Sequence, residues 1–278
     1  MTVRIVTDSA CDLPQALADE LGIEIVPLTI RFGDDDFIDR RHLTTRQFWE
    51  RCAGSSVLPS TAAPSPGQFE EAYRLVHQQG ATGVVCITLS GELSATIQSA
   101  QLAAAAVDAE VPVRVVDSHS VTLGLGMLVV EAARQAASGA SIDEVVASTI
   151  ERSSRTHVWG ALDTLENLKK GGRIGGAKAL LASVLSIKPI IEVRNGKVEE
   201  GGKQRTRSKA LAFLIQQVRD AGPIEQLAVM HADTRDIADF VQKLRAIYDG
   251  EIIVGDIGAV IGAHAGLGTT GVVYQVKG

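Results

Sequence analysis

The sequence has few of the features that mark disulfide-rich, metal-binding or membrane-spanning proteins. Its cysteines, Cys11, Cys52 and Cys86, are odd in number and far apart, so they predict neither a disulfide framework nor a zinc site. No apolar run approaches the length that crosses a bilayer, and polar turn residues begin too early in the chain for a signal peptide. We therefore expect a cytoplasmic protein without stable membrane insertion.

The sequence also lacks an excess of positive charge. Its 27 Lys and Arg residues are outnumbered by 33 Asp and Glu residues, which gives a formal net charge of −6. General binding to nucleic acid or to an anionic membrane needs a broad basic field, so the sequence argues against both and against a DNA-binding regulator. A metal site is not predicted at the acidic triplet 34–36, because adjacent acids on a turn cannot all face one ion.

What the sequence does contain is a repeated order of strand, loop and helix. Short β-branched runs at 3–6, 83–89 and 113–116 each lead into a Ser/Thr-rich loop and then a helix. Such units build a parallel sheet, and their loops meet at its carboxyl edge. The chain of 278 residues is long enough for two modest domains. We expect residues 1–155 to form an N-terminal α/β domain with a mostly parallel sheet.

The second half predicts a C-terminal α/β domain over residues 156–278, with a mixed sheet. Asn195 and Gly196 supply the positive φ angles of a tight hairpin turn between strands at 188–193 and 197–200. Further strands are predicted at 157–162, 227–231, 252–257 and 272–276. Residues 23–30 are predicted as one strand, residues 54–66 as a loop, and residues 261–271 as turn-rich.

Residues 167–190 form an unusual basic, glycine-rich stretch. Two glycine pairs enclose Arg173, and an apolar run that resembles a helix follows the second pair. A glycine-rich turn before a helix presents free amides and the positive end of the helix dipole, which favours an anion. The alternative is a helix C-cap, a loop and a new helix with solvated lysines. The segment KGGRIGGAK does not match the P-loop pattern, which argues against a nucleotide-dependent kinase.

Seven separated stretches form one ordered pattern. They are VTDSACDLP (6–14), STAAPSPGQF (60–69), LSGELSATIQSA (89–100), VVDSHSVTLGLG (115–126), LKKGGRIGGAKALLASVLSIKPI (168–190), KQRTRSKAL (203–211) and IGAHAGLGTTGV (261–272). Together they resemble the DegV family of bacterial fatty-acid-binding proteins, in the family's order and over essentially the full length.

The resemblance implies that two α/β domains enclose one long-chain fatty acid, such as palmitate, between them. It assigns the carboxylate to Thr61 and Ser94, and it places Arg173 and His264 near the same mouth as support for phosphoryl transfer. Proteins of this kind present the bound acid to a separate dihydroxyacetone-kinase-like subunit, which makes an acyl phosphate. The resemblance thus implies a lipid-binding protein without intrinsic catalysis, metal or cofactor other than its ligand.

The chain departs from the family pattern at three positions. Ala62 stands where the family often has a serine hydroxyl, and Ala63 stands where it has a glutamine amide. Ala95 stands where the family has glycine. These positions bear on the secondary contacts, the chain-length preference and the choice of kinase. Independently of the resemblance, a long acyl chain supplies on the order of 10 kcal/mol of apolar transfer at about 0.8 kcal/mol per methylene. Neutral donors such as Thr61 and Ser94 are therefore sufficient to orient the head group, although Ser and Thr before helices are often simple caps.

The alternative function is that of a Ser-dependent esterase or hydrolase of a lipid substrate. Asp8, Ser9, Asp117 and His264 offer the residue types of a Ser-His-Asp set. However, the sequence has no G-x-S-x-G elbow, and its serines stand in capping contexts.

Overall fold

The structure, a computed structural model, describes residues 2–182 and 187–278. The strands are β1 (Val3–Asp8), β2 (Glu24–Val26), β3 (Thr29–Phe32), β4 (Asp35–Ile38), β5 (Ser60–Ala62), β6 (Gly83–Thr88), β7 (Val113–Asp117), β8 (Thr156–Ala161), β9 (Lys188–Arg194), β10 (Lys197–Gln204), β11 (Ile224–His231), β12 (Ile252–Asp256) and β13 (Thr270–Val276). The helices are α1 (Gln15–Glu20), α2 (Thr45–Gly54), α3 (Pro66–Gln78), α4 (Thr96–Val107), α5 (Leu123–Ala137), α6 (Ile142–Ser154), α7 (Glu166–Lys170), α8 (Arg207–Asp220), α9 (Ile237–Arg245) and α10 (Ala259–Ala265), with 3-10 helices at Ser9–Cys11 and Gly175–Ala182.

The N-terminal half contains a four-stranded parallel sheet in the order β2, β1, β6, β7. Every residue of β6 is buried, as expected for a parallel strand covered on both faces. Helices α3 and α4 cover one face, and α5 and α6 cover the other. The three predicted strand–loop–helix units are confirmed, and their loops meet at the carboxyl edge of this sheet.

The prediction of one strand over residues 23–30 was wrong. Strand β2 ends at Val26 in the parallel sheet, whereas β3 begins at Thr29 in a separate antiparallel sheet of order β4, β3, β5. Pro27 lies between them, and proline interrupts a strand because it has no N–H for the ladder. The same small sheet contains β5, which lies inside the predicted loop 54–66 and places Thr61 opposite Ile30.

The C-terminal half contains a mixed six-stranded sheet in the order β10, β9, β8, β13, β11, β12. Strands β11 and β12 are parallel, and the other neighbours are antiparallel. The predicted hairpin is confirmed: β9 and β10 are joined by Asn195 and Gly196, with φ angles of 50° and 77°. Helices α8 and α9 cover one face of this sheet.

Helix α5 lies between the two large sheets. It contacts β1 and β6 on one side and β8 and β13 on the other. One apolar core therefore includes Ile5 and Leu123 from the N-terminal half and Val158, Met230 and Val273 from the C-terminal half. The proposed boundary between residues 155 and 156 falls between α6 and β8, and it stays a prediction because this core is continuous across it.

The segment predicted as turn-rich, 261–271, contains the larger part of helix α10 (Ala259–Ala265). This correction has a tertiary cause: α10 is short and Gly/Ala-rich, and it packs onto α2, β3 and β5 of the N-terminal half. Trp49 Nε1 donates to the Ile257 carbonyl at 3.2 Å just before the helix, and Gly262 allows the close approach of the Trp49 ring. Helix α10 thus brings C-terminal residues against N-terminal ones.

Within residues 2–182 and 187–278, no helix has the length and hydropathy that crossing a bilayer requires.

Candidate functional site

An apolar cavity of about 80 Å³ lies where the two halves of the chain meet. Its aliphatic lining comes from both halves: Leu28, Leu89, Leu93, Val121, Leu168, Ile191, Val193, Val198, Val260, Ile261 and Ala265. Its polar lining consists of Thr61, Ser94, Arg173 and His264, which are the four residues that the sequence analysis assigned to the site. The fold therefore brings these four side chains together around one cavity.

Thr61 and His264 contact each other directly. A hydrogen bond of 2.9 Å joins Thr61 Oγ1 and His264 Nε2 across 203 positions of the chain. Thr61 is placed by the pairing of β5 with β3, and His264 lies in the last turn of α10. Both side chains are half-buried. The pair is therefore positioned by the packing of α10 against the small antiparallel sheet.

His264 lies in a confined environment at the end of α10. Its Nδ1 atom is buried and has no hydrogen-bond partner, and it points at Gly171, where an added Cβ would overlap with it. Burial, and secondly the positive charge of Arg173, lower the pKa of His264 from 6.5 to about 4. The imidazole is therefore neutral at physiological pH.

Ser94 lies in the turn that precedes α4. Its Oγ accepts from the Thr96 amide at 3.3 Å and lies 2.8 Å from Thr96 Oγ1. The Ser94 amide donates to the Ser90 carbonyl, which closes the turn. Ser94 thus has a local capping role, and its half-buried hydroxyl also faces the cavity.

Arg173 is held by two backbone carbonyls. Its Nε donates to the Leu93 carbonyl at 3.1 Å, and its Nη1 donates to the Gly171 carbonyl at 2.6 Å. The first bond joins the glycine-rich stretch to the turn that contains Ser94. The Leu93 carbonyl that Arg173 binds lies 80 positions away in sequence, so this contact depends on the tertiary fold.

The glycine-rich stretch itself fits the second interpretation better than a cradle for an anion. Helix α7 ends at Lys170, and Gly172 has a φ of 74° in the turn that follows. Gly175 packs against the Val198 carbonyl of β10, where any Cβ would overlap. Residues 175–182 form a 3-10 helix. The rest of the predicted apolar helical run, residues 183–186, lies outside the described residues.

The residues of the hydrolase hypothesis do not form a triad. Ser9 Oγ accepts from the Leu28 amide at 3.1 Å, and the Asp8 carboxylate accepts from the amides of Ala10 and Leu89. Asp117 accepts from the amides of Gly91 and His119. In the described part of the chain, no hydrogen bond joins His264 to any of these three side chains.

A metal-centred site receives no support from the side-chain arrangement. In the two described segments, no group of at least three His, Cys, Asp or Glu side chains is arranged to hold a metal ion.

Sequence reasoning missed two groups that shape the cavity. The first group is the backbone that the polar side chains contact, namely the Leu93 carbonyl beside Arg173 and the Gly171 Cα beside His264. No local sequence pattern predicts these contacts. The second is the apolar lining of the hairpin. The alternation of Ile191 and Val193 with Glu192 and Arg194 could have assigned the lining residues to one face of β9.

A parallel sheet and a mixed sheet that enclose an aliphatic cavity with a few polar side chains define an α/β protein with a largely apolar cavity between its two halves. The family model described as "Uncharacterised protein, DegV family" matches residues 2–277. The chain belongs to the DegV family, which confirms the resemblance found in the sequence.

The similar proteins extend over the whole chain. A DegV domain-containing protein of Streptomyces coelicolor is 39% identical over 280 residues, with 99% of each chain covered. A solved structure described as fatty acid binding of a DegV family protein from Thermus thermophilus is 33% identical, with a TM-score of 0.91 and 100% of both chains covered. DegV of Bacillus subtilis, described as a fatty acid binding protein, is 28% identical with a TM-score of 0.91 and the same coverage. The predicted fold class is confirmed by these structures.

Proposed function

We propose that this protein binds a long-chain fatty acid, such as palmitate, with its acyl chain between the two halves and its carboxylate at Thr61 and Ser94. The observation that supports this most is the composition of the cavity: eleven aliphatic residues form its walls, and the polar residues are the four named above. The binding of fatty acids by the Thermus and Bacillus relatives supports the same ligand class.

In this proposal the head group is held by hydroxyls and not by an ion pair. His264 is neutral, and when its Nε2 bears the proton it donates to Thr61 Oγ1. The Thr61 hydroxyl hydrogen is then free to point at a carboxylate oxygen. Ser94 supplies the second donor, and hydrogen bonds to a charged acceptor are stronger than neutral ones. Arg173, which already donates to two carbonyls, holds the Ser94 turn in place.

The acyl chain provides most of the proposed affinity. A volume of about 80 Å³ holds a handful of waters, so a long chain enters by moving the aliphatic walls apart. Burial of each methylene then contributes about 0.8 kcal/mol. The walls belong to different segments of both halves, which allows such movement without breaking a strand.

The second part of the proposal is presentation of the bound acid to a dihydroxyacetone-kinase-like subunit, which would form an acyl phosphate. This part rests on the family resemblance, and with an ATP-using partner it places the protein in the cytoplasm. Phosphoryl transfer depends on positioning and charge stabilisation, so a binding subunit can contribute without supplying a nucleophile. Arg173 and His264 are the residues proposed to assist there.

Native mass spectrometry of the gently purified protein tests the ligand. We expect an added mass equal to one long-chain fatty acid, which organic extraction then identifies. Protein that remains free of ligand, both as purified and after incubation with palmitate, would contradict the proposed function.

Ser94→Ala tests the head-group contact, with Ser65→Ala as the matched control. Both serines precede helices, but Ser65 caps α3 and does not line the cavity. Loss of a donor to a carboxylate is worth about 1.5 kcal/mol or more, roughly tenfold in affinity. We expect that loss for Ser94→Ala alone. Equal affinities of the two variants would remove Ser94 from the site.

The presenting role requires a separate assay. The lipid-loaded protein is mixed with ATP and a purified dihydroxyacetone-kinase-like subunit, and acyl phosphate is trapped with hydroxylamine. Product should depend on the loaded protein. Its absence would overturn the presenting role and leave fatty-acid binding intact.

A further inference from the structure

The six-stranded sheet has two edge strands, β10 and β12. The edge at β10 is covered, because the 3-10 helix Gly175–Ala182 packs along it and Gly175 lies against the Val198 carbonyl. In residues 2–182 and 187–278, β12 pairs with β11 and with no other strand. The outer side of β12 is therefore a free sheet edge.

The register of β12 shows which of its backbone groups face outward. The Ile257 amide donates to the His231 carbonyl at 2.8 Å just beyond the strand. Because residues alternate along a strand, Ile253 and Gly255 also bond to β11, and the N–H and C=O of Val254 and Asp256 face away from it. Within the described segments, no hydrogen bond involves these four outward groups. They form the pattern of donors and acceptors with which a further strand pairs.

Most of the usual protections of an edge strand are missing from β12. Natural edges carry lysine or proline, contain a bulge or are covered by another element, since an exposed edge pairs with other chains. The sequence of β12 is IIVGD, and its register with β11 is unbroken. Ile253 and Val254 are 42% and 46% exposed, so the free edge is also apolar. These features are typical of an edge to which a partner adds a strand.

A groove of about 330 Å³ lies beside the free edge. One wall contains Val254, Gly255, Asp256 and Gly258, and the other belongs to the N-terminal half: Ser9, Asp12, Leu13, Pro14, Gln15, Asp39, Arg40 and Thr45. The stretch VTDSACDLP (6–14), which does not line the fatty-acid cavity, contributes to this second wall. An added strand lies about 4.8 Å from its neighbour, so a segment paired with β12 would occupy this groove.

The surroundings of the free edge are acidic. Residues 249–258 contain Asp249, Glu251 and Asp256 and no Lys or Arg. Asp256 has an exposed side chain and lines the groove. An extended segment with basic side chains therefore complements this edge, whereas a second copy of β12 would set acidic residues against acidic residues.

The opposite wall of the groove adds two buried carboxyl groups. Burial raises the pKa of Asp12 to about 7 and raises the pKa of Asp39 as well. Arg40 is the one cation among the described residues that line the groove, and its Nη2 already donates to the Leu13 carbonyl. A further cation in the groove would stabilise the ionised forms of both carboxyl groups.

We propose that the free edge of β12 binds an extended basic segment of a partner protein, which adds a strand to the mixed sheet. The backbone of that segment pairs with Val254 and Asp256, and its Lys or Arg side chains lie in the acidic groove. Main-chain hydrogen bonds supply affinity in this mode of recognition, and alternate side chains supply specificity. This inference goes beyond fatty-acid binding and does not rest on it.

The test is an NMR titration of the isotopically labelled full chain with a capped hexapeptide of alternating valine and lysine. Saturable shifts should appear at the Val254 and Asp256 amides. A peptide with glutamate in place of lysine should not bind measurably. The lysine peptide with N-methylated amides should bind about tenfold more weakly, because it lacks the donors for strand pairing.

Two substitutions with matched controls locate the contact. Val254→Pro removes an outward N–H without removing a bond to β11, and it should weaken binding of the lysine peptide about tenfold. Val254→Thr keeps the N–H and the β-branched side chain and should bind as wild type does. Asp256→Asn should weaken binding about threefold, whereas the same change at the exposed Asp108, at the end of α4, should have no effect.

The inference is overturned if the lysine peptide leaves the Val254 and Asp256 amides unshifted. It is also overturned if the N-methylated peptide, or Val254→Pro with a folded spectrum, gives wild-type affinity. Equal binding of the glutamate peptide would rule out a basic partner. Shifts of the same amides with protein concentration alone, together with dimers in sedimentation, would assign the edge to a second copy instead.

Discussion

Replacing Gly171 by Ala is expected to displace His264 and weaken fatty-acid binding. The backbone of Gly171 has φ −72° and ψ −9°, a right-handed conformation that alanine adopts without strain. The added Cβ, however, would overlap with His264 Nδ1 and lie 3.0 Å from Cε1 of the same ring. The effect is therefore steric, and the atom that must yield belongs to a side chain that lines the cavity.

The magnitude follows from what holds the ring. The imidazole is enclosed by packing, and its Nε2 is bonded to Thr61 Oγ1 at 2.9 Å. An extra methyl in a packed interior costs about 1–3 kcal/mol, and the hydrogen bond contributes about 1 kcal/mol. If the ring moves, Thr61 loses the donor that orients its hydroxyl. A loss of about 1.4 kcal/mol at the carboxylate corresponds to a tenfold weaker affinity.

The assay is calorimetric titration of palmitate into delipidated protein, with Gly54→Ala as the control. At Gly54, the last residue of α2, an added Cβ has no atom within 4 Å, and the backbone is outside the left-handed region. Gly54→Ala should bind as wild type does and gain about 0.5 kcal/mol of stability. Wild-type affinity in Gly171→Ala, together with unchanged NMR shifts of the His264 ring, would refute the reasoning.

Three further predictions concern stability, measured by chemical denaturation. Because the pKa of His264 is lowered to about 4, the unfolded state takes up a proton first, and stability should fall as pH drops from about 6.5 to 4. His264→Gln should flatten that part of the stability curve, and an unchanged slope in the variant would contradict this prediction. Burial raises the pKa of Asp12 to about 7, so stability should fall as pH rises from about 4 to 7. Asp12→Asn should reduce that slope, and an undiminished slope in the variant would contradict the prediction. Gly262→Ala should cost about 1–3 kcal/mol, since the new Cβ would lie 2.7 Å from the Trp49 ring; wild-type stability would show that the ring yields freely.

The elements that could be predicted from sequence are those with local signals. Capping boxes at Ser65 and Ser141, each with Gln or Glu three residues later, begin α3 and α6, and the Asn195 and Gly196 turn forms the expected hairpin. Strand β5 and helix α10 were missed because nothing local specifies them. Three residues become β5 through pairing with β3, and seven Gly/Ala-rich residues become α10 against the N-terminal half.

The site shows the same division. The resemblance identified Thr61, Ser94, Arg173 and His264, and the structure places all four around one cavity. Their environments could not be predicted, because the Leu93 carbonyl that Arg173 binds is 80 positions away and the Thr61 partner of His264 is 203 positions away. Sequence pattern thus indicated which side chains meet, while their protonation and hydrogen bonding depend on contacts between the halves.

Those contacts bear on how the protein would work under the proposed function. Burial keeps His264 neutral, so it offers no ion pair, and two of the five N–H groups of Arg173 already donate to backbone carbonyls. Most of the affinity must then come from the acyl chain, at about 0.8 kcal/mol per methylene. A carboxylate held by two hydroxyls keeps its nucleophilic oxygen less encumbered than one paired with a guanidinium. A kinase could therefore phosphorylate the head group while the tail stays buried, without first overcoming a strong salt bridge.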